Sequence, residues 1–152
     1  VPALPPEMAR IFADQDRFSI IDAGGDDAGA AALGRFKRQI EAAGGCEMLY
    51  VVNRYRKLVE TPEEAVSLLH EVEAASRLKA TGVVNNSHLS SLTTAEDILG
   101  SLPYAQEAAR EAGLPLVMTT VPLALYEALK GKVENLFPVE LLVQPPWAET
   151  LM

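Results

Sequence analysis

The fold is decided by residues 48–86, MLYVVNRYRKLVETPEEAVSLLHEVEAASRLKATGVVNN. This stretch opens with one short apolar run, MLYVV, and closes with another, TGVVN. Between them lie helix signals: Thr61 as an N-cap, Pro62 at the first helical position and Glu64 at the spacing of a capping box. A strand, a helix and a second strand in this order predict two parallel strands joined by a crossover helix.

The same alternation extends to both sides of this stretch. We predict helices over residues 28–43, which Gly44 and Gly45 stop, and from Thr93 or Thr94, where Pro103 should kink or divide the helix. The predicted strands are short runs rich in apolar and β-branched residues, at residues 18–22, 48–52, 81–85, 115–121 and 139–143. We therefore expect one α/β domain over residues 1–152, a doubly wound, mainly parallel sheet with helices on both faces.

Composition limits the classes of function. The 152 residues are 49% hydrophobic and carry a net charge of −8, which opposes direct binding to nucleic acid or to an anionic membrane. No apolar run is long enough to span a bilayer. The single cysteine, Cys46, cannot form an internal disulfide, and we expect it to be buried in a cytoplasmic protein.

The first candidate site follows the predicted strand FSIID. Asp22 would stand at the carboxyl edge of the sheet, where ligands of parallel α/β folds bind. A carboxylate there is a ligand suited to Mg²⁺, and the backbone N–H groups of Gly24 and Gly25 can approach a phosphate closely. Alternatively, the glycines only form the turn, and Asp26 or Asp27 caps the next helix. Residue spacing alone does not decide between these interpretations.

The second candidate site follows the strand TGVVN. The carboxamide of Asn85 or Asn86 matches the donor and acceptor pattern of an adenine edge, but it could equally close an Asx turn. Residues 119–122 end the next strand, and their backbone could border a base. We expect the RYRK run at residues 54–57 to be a solvated connector, and His88 to be a surface residue.

In this order, the motifs resemble the ParA/MinD/CobQ-like branch of P-loop ATPases. The resemblance implies bound ATP and Mg²⁺, with Asp22 as the magnesium-side carboxylate and Gly24 and Gly25 as the γ-phosphate switch. It also implies that Asn85, or Asn86 as the near alternative, recognises adenine. It places Thr120, Val121 and Pro122 in the loop beside the base. The motifs that carry it are IIDAGGDDAGAAALGRF, VVNRYRKLVETPEEAV, EAASRLKATGVVNNSHL, TTAEDILGSLPYAQEAA and LPLVMTTVP.

One part of the family pattern is missing from these residues. No G-x-x-x-x-G-K-[ST] loop occurs in the 152 residues, so the chain as given should not hydrolyse ATP. We expect it to be the C-terminal part of a longer ATPase that acts as a nucleotide-dependent switch and forms an oligomer or binds a partner protein. In that family the missing strand lies mid-sheet, so the neighbouring edges should pair with another copy or rearrange.

Two other functions compete with this hypothesis. The first is a nonenzymatic interaction or assembly module that keeps the fold without the P-loop. The second is a magnesium-dependent phosphatase using Asp22, Asp26 and Asp27, which is weaker because no lysine or arginine is placed nearby to hold phosphate.

Overall fold

The computed structural model describes residues 11–12, 18–25 and 27–142 of the chain. These residues form a sheet of four strands in the order β1-β2-β3-β4, and all neighbouring strands are parallel. Helices flank the sheet. The predicted α/β class, with a doubly wound, mainly parallel sheet, is confirmed. The strands are β1 (Leu49–Val52), β2 (Gly82–Asn85), β3 (Leu116–Pro122) and β4 (Leu136–Val139).

Each connection between successive strands contains helix. Turns of 3-10 helix at Ser90–Leu92 and Leu123–Leu125 precede the last two helices. The helices are α1 (Asp27–Gly34), α2 (Lys37–Ala42), α3 (Pro62–Ser76), α4 (Ala95–Ala112) and α5 (Tyr126–Leu129). Within the described ranges, no helix combines the length and the apolarity needed to cross a membrane.

The two long helices begin at the capping boxes that the sequence encodes. The Thr61 hydroxyl accepts from the Glu64 backbone N–H at 3.3 Å, and the Glu64 carboxylate accepts from the Thr61 N–H at 3.1 Å. Thr94 and Asp97 form the same box at the start of α4. These bonds satisfy N–H groups that have no partner inside the helix, so both starts are fixed locally.

Two apolar clusters join the helices to one face of the sheet. The first includes Val52 and Val83 from β1 and β2, with Ala65 of α3 and Tyr104 of α4. The second joins β3, α4 and α5 through Val121, Ile98 and Leu129. The inner face of α3 consists of four buried residues: Ala65, Leu69, Val72 and Ser76.

Side chains that point away from these clusters are more accessible at the sheet edges. Successive residues of a strand face opposite sides. Leu49 and Val51 of β1 therefore point away from the cluster that contains Val52, and they are 40% and 55% exposed. Phe137 of β4 is 51% exposed. The sheet thus presents apolar surface at both edges.

The predicted strand FSIID is wrong for this structure. Residues 18–22 form no strand, and Phe18 and Ile20 are 93% and 86% exposed. A strand needs a partner for its backbone N–H and C=O groups. Within the described residues, β1 pairs only with β2, and residues 18–22 lie outside the sheet. The composition of this segment is that of a strand, but its backbone pairs with no strand among the described residues.

Three smaller predictions are also corrected. Helix α4 is not divided at Pro103, since it runs unbroken from Ala95 to Ala112. Pro103 and Leu99, whose carbonyl loses its helical N–H partner, both lie on the exposed side, where water can bond that carbonyl. The last strand is Leu136–Val139, earlier than the predicted VELLV, whose final residue, Val143, lies outside the described residues. Cys46 is exposed rather than buried because it lies in an irregular segment before β1.

Two glycines in helices provide a matched test of the packing between α1 and α3. A Cβ atom on Gly34 would lie 2.7 Å from the Ala75 carbonyl oxygen and 2.9 Å from that of Ser76. We expect Gly34→Ala to force α1 away from α3 and to lower the free energy of unfolding by about 1–3 kcal/mol in urea denaturation.

Gly100 of α4 is the control. A Cβ atom there would meet nothing within 4 Å. Gly100→Ala should therefore raise the free energy of unfolding by about 0.5–1 kcal/mol, through helix propensity alone. Equal effects of the two substitutions would contradict the close approach of α1 to α3.

The capping box of α4 predicts a pH dependence. Hydrogen bonds from the Thr94 hydroxyl and the Thr94 N–H lower the pKa of Asp97 below its ordinary 3.8. A carboxyl whose pKa is lower in the folded state contributes stability above its unfolded pKa, and this contribution is lost as the pH falls through the folded pKa. The stability difference between wild type and Asp97→Asn should therefore be largest above about pH 5 and should shrink on acidification.

Urea denaturation at a series of pH values measures this difference. Glu96→Gln is the control, because it removes one carboxylate from the same turn without removing a capping bond. A difference between wild type and Asp97→Asn that is constant with pH would contradict the predicted role of the box.

Candidate functional site

The carboxyl ends of β1, β2 and β3 meet at one edge of the sheet. The register pairs Val52 with Asn85 and Asn85 with Thr119. The residue that follows each of these three therefore lies in the next row across the sheet. These residues are Asn53, Asn86 and Thr120. This row is where ligands of parallel α/β sheets bind, and it contains two of the residues predicted from the sequence, Asn86 and Thr120.

Asn85 is fully buried, and its polar atoms are engaged. Its Nδ2 donates to the Ser101 hydroxyl at 2.9 Å, and its Oδ1 accepts from the Ser87 N–H at 3.2 Å. Ser101 in turn donates to the Ile98 carbonyl of α4. The Asn85 side chain thus points into the helix layer and closes an Asx turn. It is not presented at the surface of the edge.

Asn86 is the more accessible of the two asparagines. Its Oδ1 accepts from the Thr120 hydroxyl at 2.6 Å, and its backbone N–H donates to the Val52 carbonyl at 2.9 Å. Within the described residues, its Nδ2 has no hydrogen-bond partner. The half-buried Asn86 side chain therefore keeps two amide donors available beside Thr120.

The other predicted base-side residues differ in accessibility. Val121 is fully buried in the cluster with Ile98 and Leu129, so only its backbone could border a ligand. Thr120 and Pro122 are half-buried at the end of β3. The predicted side chains that a ligand could reach at this edge are therefore those of Asn86, Thr120 and Pro122.

A hydrogen-bond network that the sequence did not predict joins the loops after β1 and β2. The Asn53 Oδ1 accepts from the Tyr55 N–H at 3.0 Å and from the His88 N–H at 3.4 Å, and its Nδ2 donates to the His88 carbonyl. The Arg54 N–H donates to the Ser87 hydroxyl at 3.1 Å. The one sequence signal for this network is an asparagine directly after each of two neighbouring strands.

The RYRK run is only partly a solvated connector. The Arg54 guanidinium donates to the Gly100 carbonyl, and the Tyr55 hydroxyl donates to the Asp97 carbonyl at 2.9 Å. Burial and the Asp97 carboxylate raise the pKa of Tyr55, and Arg54 opposes them. The phenol is therefore a hydrogen-bond donor at neutral pH. Arg54 and Tyr55 pack on α4, whereas Arg56 and Lys57 are exposed, as predicted.

Asp22, Gly24 and Gly25 are all exposed in the irregular segment before α1. A Cβ atom on Gly29 of α1 would lie 2.5 Å from the Gly24 carbonyl oxygen, so this segment passes close to the helix. Asp26 lies outside the described residues, and the side chain of Asp27 is not described. Within the described residues, no hydrogen bond or ion pair joins Asp22 to the Asn86 end of the site.

Asp22 offers a single exposed carboxylate to a magnesium ion. The described residues contain no group of three or more His, Cys, Asp or Glu placed to hold a metal. Magnesium in nucleotide sites commonly has one or two protein carboxylates, and water and phosphate oxygens complete its shell. One exposed carboxylate fits this arrangement, provided that the ligand supplies the remaining oxygens.

Comparison with protein-family models, with curated proteins and with solved structures finds no match to this chain.

The two asparagines after Val84 are predicted to differ in their contribution to stability. Asn85→Ala should lower the free energy of unfolding by about 1–3 kcal/mol, because the buried Ser87 N–H loses its acceptor. Asn86→Ala should change it by less than about 0.5 kcal/mol, since the Thr120 hydroxyl is only partly buried. Urea denaturation measures both. Equal losses would contradict the structural role assigned to Asn85.

Proposed function

We propose that this chain forms part of a Mg-ATP site of a ParA/MinD-like ATPase, which uses the nucleotide as a conformational switch. The observation that carries the proposal is the contact between Asn86 and Thr120 across the ends of β2 and β3. It brings together two residues that the family resemblance places beside the adenine base. The exposed Asp22 supplies the carboxylate that the same resemblance places on magnesium.

At the base end, Asn86 is the residue that recognises adenine in this proposal. Its free Nδ2 donors could bond to a ring nitrogen, while Thr120 holds the amide in position by donating to its oxygen. Pro122 provides a rigid apolar surface beside the ring. Asn85 has the supporting role, because its buried bonds to Ser101 and Ser87 fix the turn from which Asn86 projects.

At the phosphate end, Asp22 would hold Mg²⁺, which supplies charge neutralisation for the triphosphate. Gly24 and Gly25 would approach the γ-phosphate through their backbone N–H groups. The 152 residues contain no lysine in a phosphate-binding loop, so these groups alone bind and orient but do not complete a hydrolytic site.

The sheet itself supports a site completed by further chain. The strand-like FSIID segment is unpaired, with Phe18 and Ile20 exposed, and β1 has a free outer edge among the described residues. One additional strand could pair with the backbone of β1 at this edge. A phosphate-binding loop after such a strand, if it runs parallel to β1, would stand at the same carboxyl edge as Asn86.

Isothermal titration of Mg-ATP tests the proposal in two proteins, the 152-residue chain and a longer chain that includes the upstream coding sequence. We expect saturable binding by the longer chain and no ATP hydrolysis by the shorter one. Asp22→Asn and Asn86→Ala should each weaken binding to the longer chain by about tenfold.

Glu47→Gln is the matched control, since it removes an exposed carboxylate before β1, at the amino edge of the sheet. It should leave the affinity unchanged. The proposal is overturned if the longer chain does not bind Mg-ATP, or if Asp22→Asn and Asn86→Ala have no more effect than Glu47→Gln.

A second candidate is a nonenzymatic interaction or assembly module of the same fold. The exposed apolar side chains of Leu49, Val51 and Phe137 favour it, because such surface marks protein contacts. The upstream coding sequence separates the two candidates. A G-x-x-x-x-G-K-[ST] loop there supports the ATPase, and its absence supports the module.

A further inference from the structure

A second site is indicated by a groove between the end of α1, the start of α2 and the residue that ends α3. The groove has a volume of about 450 Å³. It contains one carboxylate, Glu41, and Gly34 forms part of its lining. We call it the basic groove because its other lining side chains are all cationic: Arg35, Lys37, Arg38 and Arg77. This concentration of positive charge lies on a chain whose net charge is −8.

The basic groove lies away from the proposed nucleotide site. Helix α3 starts after the carboxyl end of β1 and ends at Ser76, before the amino end of β2. Arg77 therefore lies toward the amino edge of the sheet, whereas Asn86 and Thr120 lie at the carboxyl edge. A ligand in the groove would not touch the proposed base-binding residues.

Two of the cations are free to bind an anion. The Lys37 ammonium pairs with the Glu41 carboxylate at 2.8 Å, and the Arg77 guanidinium donates one bond to the Gly34 carbonyl. In the part of the chain that the structure describes, the exposed side chains of Arg35 and Arg38 form no ion pair and no hydrogen bond. Their positive charge has no partner there.

The backbone at Arg77 adds a second observation. Arg77 is the C-cap residue that follows α3, and its φ of 59° lies in the left-handed region that favours glycine. The C-cap residue of α4, Gly113, has the same conformation at φ 67°. The chain thus has an arginine at a position where glycine would be less strained. The Arg77 side chain lines the groove, and its hydrogen bond to the Gly34 carbonyl links the end of α3 to the end of α1.

We propose that the basic groove binds a small anion carrying at least two phosphate charges, such as a diphosphate group. Guanidinium groups bind phosphate oxygens through paired N–H donors, and both free cations are arginines. The volume of the groove is in the range of small-molecule sites. A short anion also meets less repulsion from the acidic remainder of the surface than a nucleic acid or an anionic membrane does.

Titration with inorganic pyrophosphate, followed by calorimetry and by amide chemical shifts, tests this site in the 152-residue chain. We expect saturable binding, with shifts concentrated at residues 34–41 and at Arg77. Arg35→Gln combined with Arg38→Gln should weaken binding by about tenfold or more. Arg56→Gln combined with Lys57→Gln removes the same charge from an exposed loop at the other edge and should change the affinity by less than about twofold.

Three results obtained with pyrophosphate or sulfate would overturn the proposal. They are no saturation by pyrophosphate up to about 10 mM, equal weakening by the two double variants, and equal binding of sulfate at matched ionic strength. Tighter binding of a single-stranded oligonucleotide than of pyrophosphate, lost in the Arg35 and Arg38 variant, would also overturn it in favour of a nucleic-acid surface. Asp22→Asn and Asn86→Ala leave the basic groove intact. A failure of the pyrophosphate proposal is therefore distinguishable from a failure of the nucleotide proposal.

Discussion

The buried carboxamide of Asn85 is the constraint on which the carboxyl edge depends. Every residue of β2 is buried, so a polar side chain there must find its partners inside the protein. Asn85 finds one in Ser101 of α4 and another in the Ser87 N–H. These two bonds tie the end of the central strand both to the helix above it and to the loop beyond it.

That attachment explains how the irregular loops at the carboxyl edge of the sheet are held in fixed positions. With Ser87 fixed, its hydroxyl accepts from the Arg54 N–H, and the loop after β1 is held to the loop after β2. Asn53 strengthens the same junction through His88. The half-exposed Asn86 and Thr120 therefore project from a scaffold whose backbone positions are already set, which lowers the entropy that a ligand would have to remove.

Local sequence predicted those elements whose signals are themselves local. The capping box at Thr61 depends on residues three apart, and the cap at Thr94 was one of two predicted alternatives. Strands β1, β2 and β3 lie within or next to the predicted runs. FSIID was mispredicted because a strand is defined by its neighbour, and composition does not say whether a neighbour is present. Hydrogen bonds between loops distant in sequence, such as Asn53 to His88, were equally inaccessible.

The choice between Asn85 and Asn86 shows the same limit at the level of one residue. Adjacent residues of a strand face opposite sides, so one of the two must point into the helix layer. Because β2 is buried on both sides, its hydrophobic pattern does not indicate which side the helices cover. The packing of Val83 against α3 and α4 identifies the side of β2 that the helices cover. Asn85 lies two residues after Val83 and therefore faces the same side.

The two edge strands of the described sheet, β1 and β4, differ in their capacity to pair with a further strand. The outer strand β4 contains Pro138, which has no N–H to offer, whereas β1 reads LYVV, with neither proline nor charge. Any extension of this sheet by backbone pairing is therefore directional: it proceeds from the β1 margin and is impeded at the β4 margin. Among the described residues, a sheet that can be extended at only one margin does not propagate by repeated strand pairing.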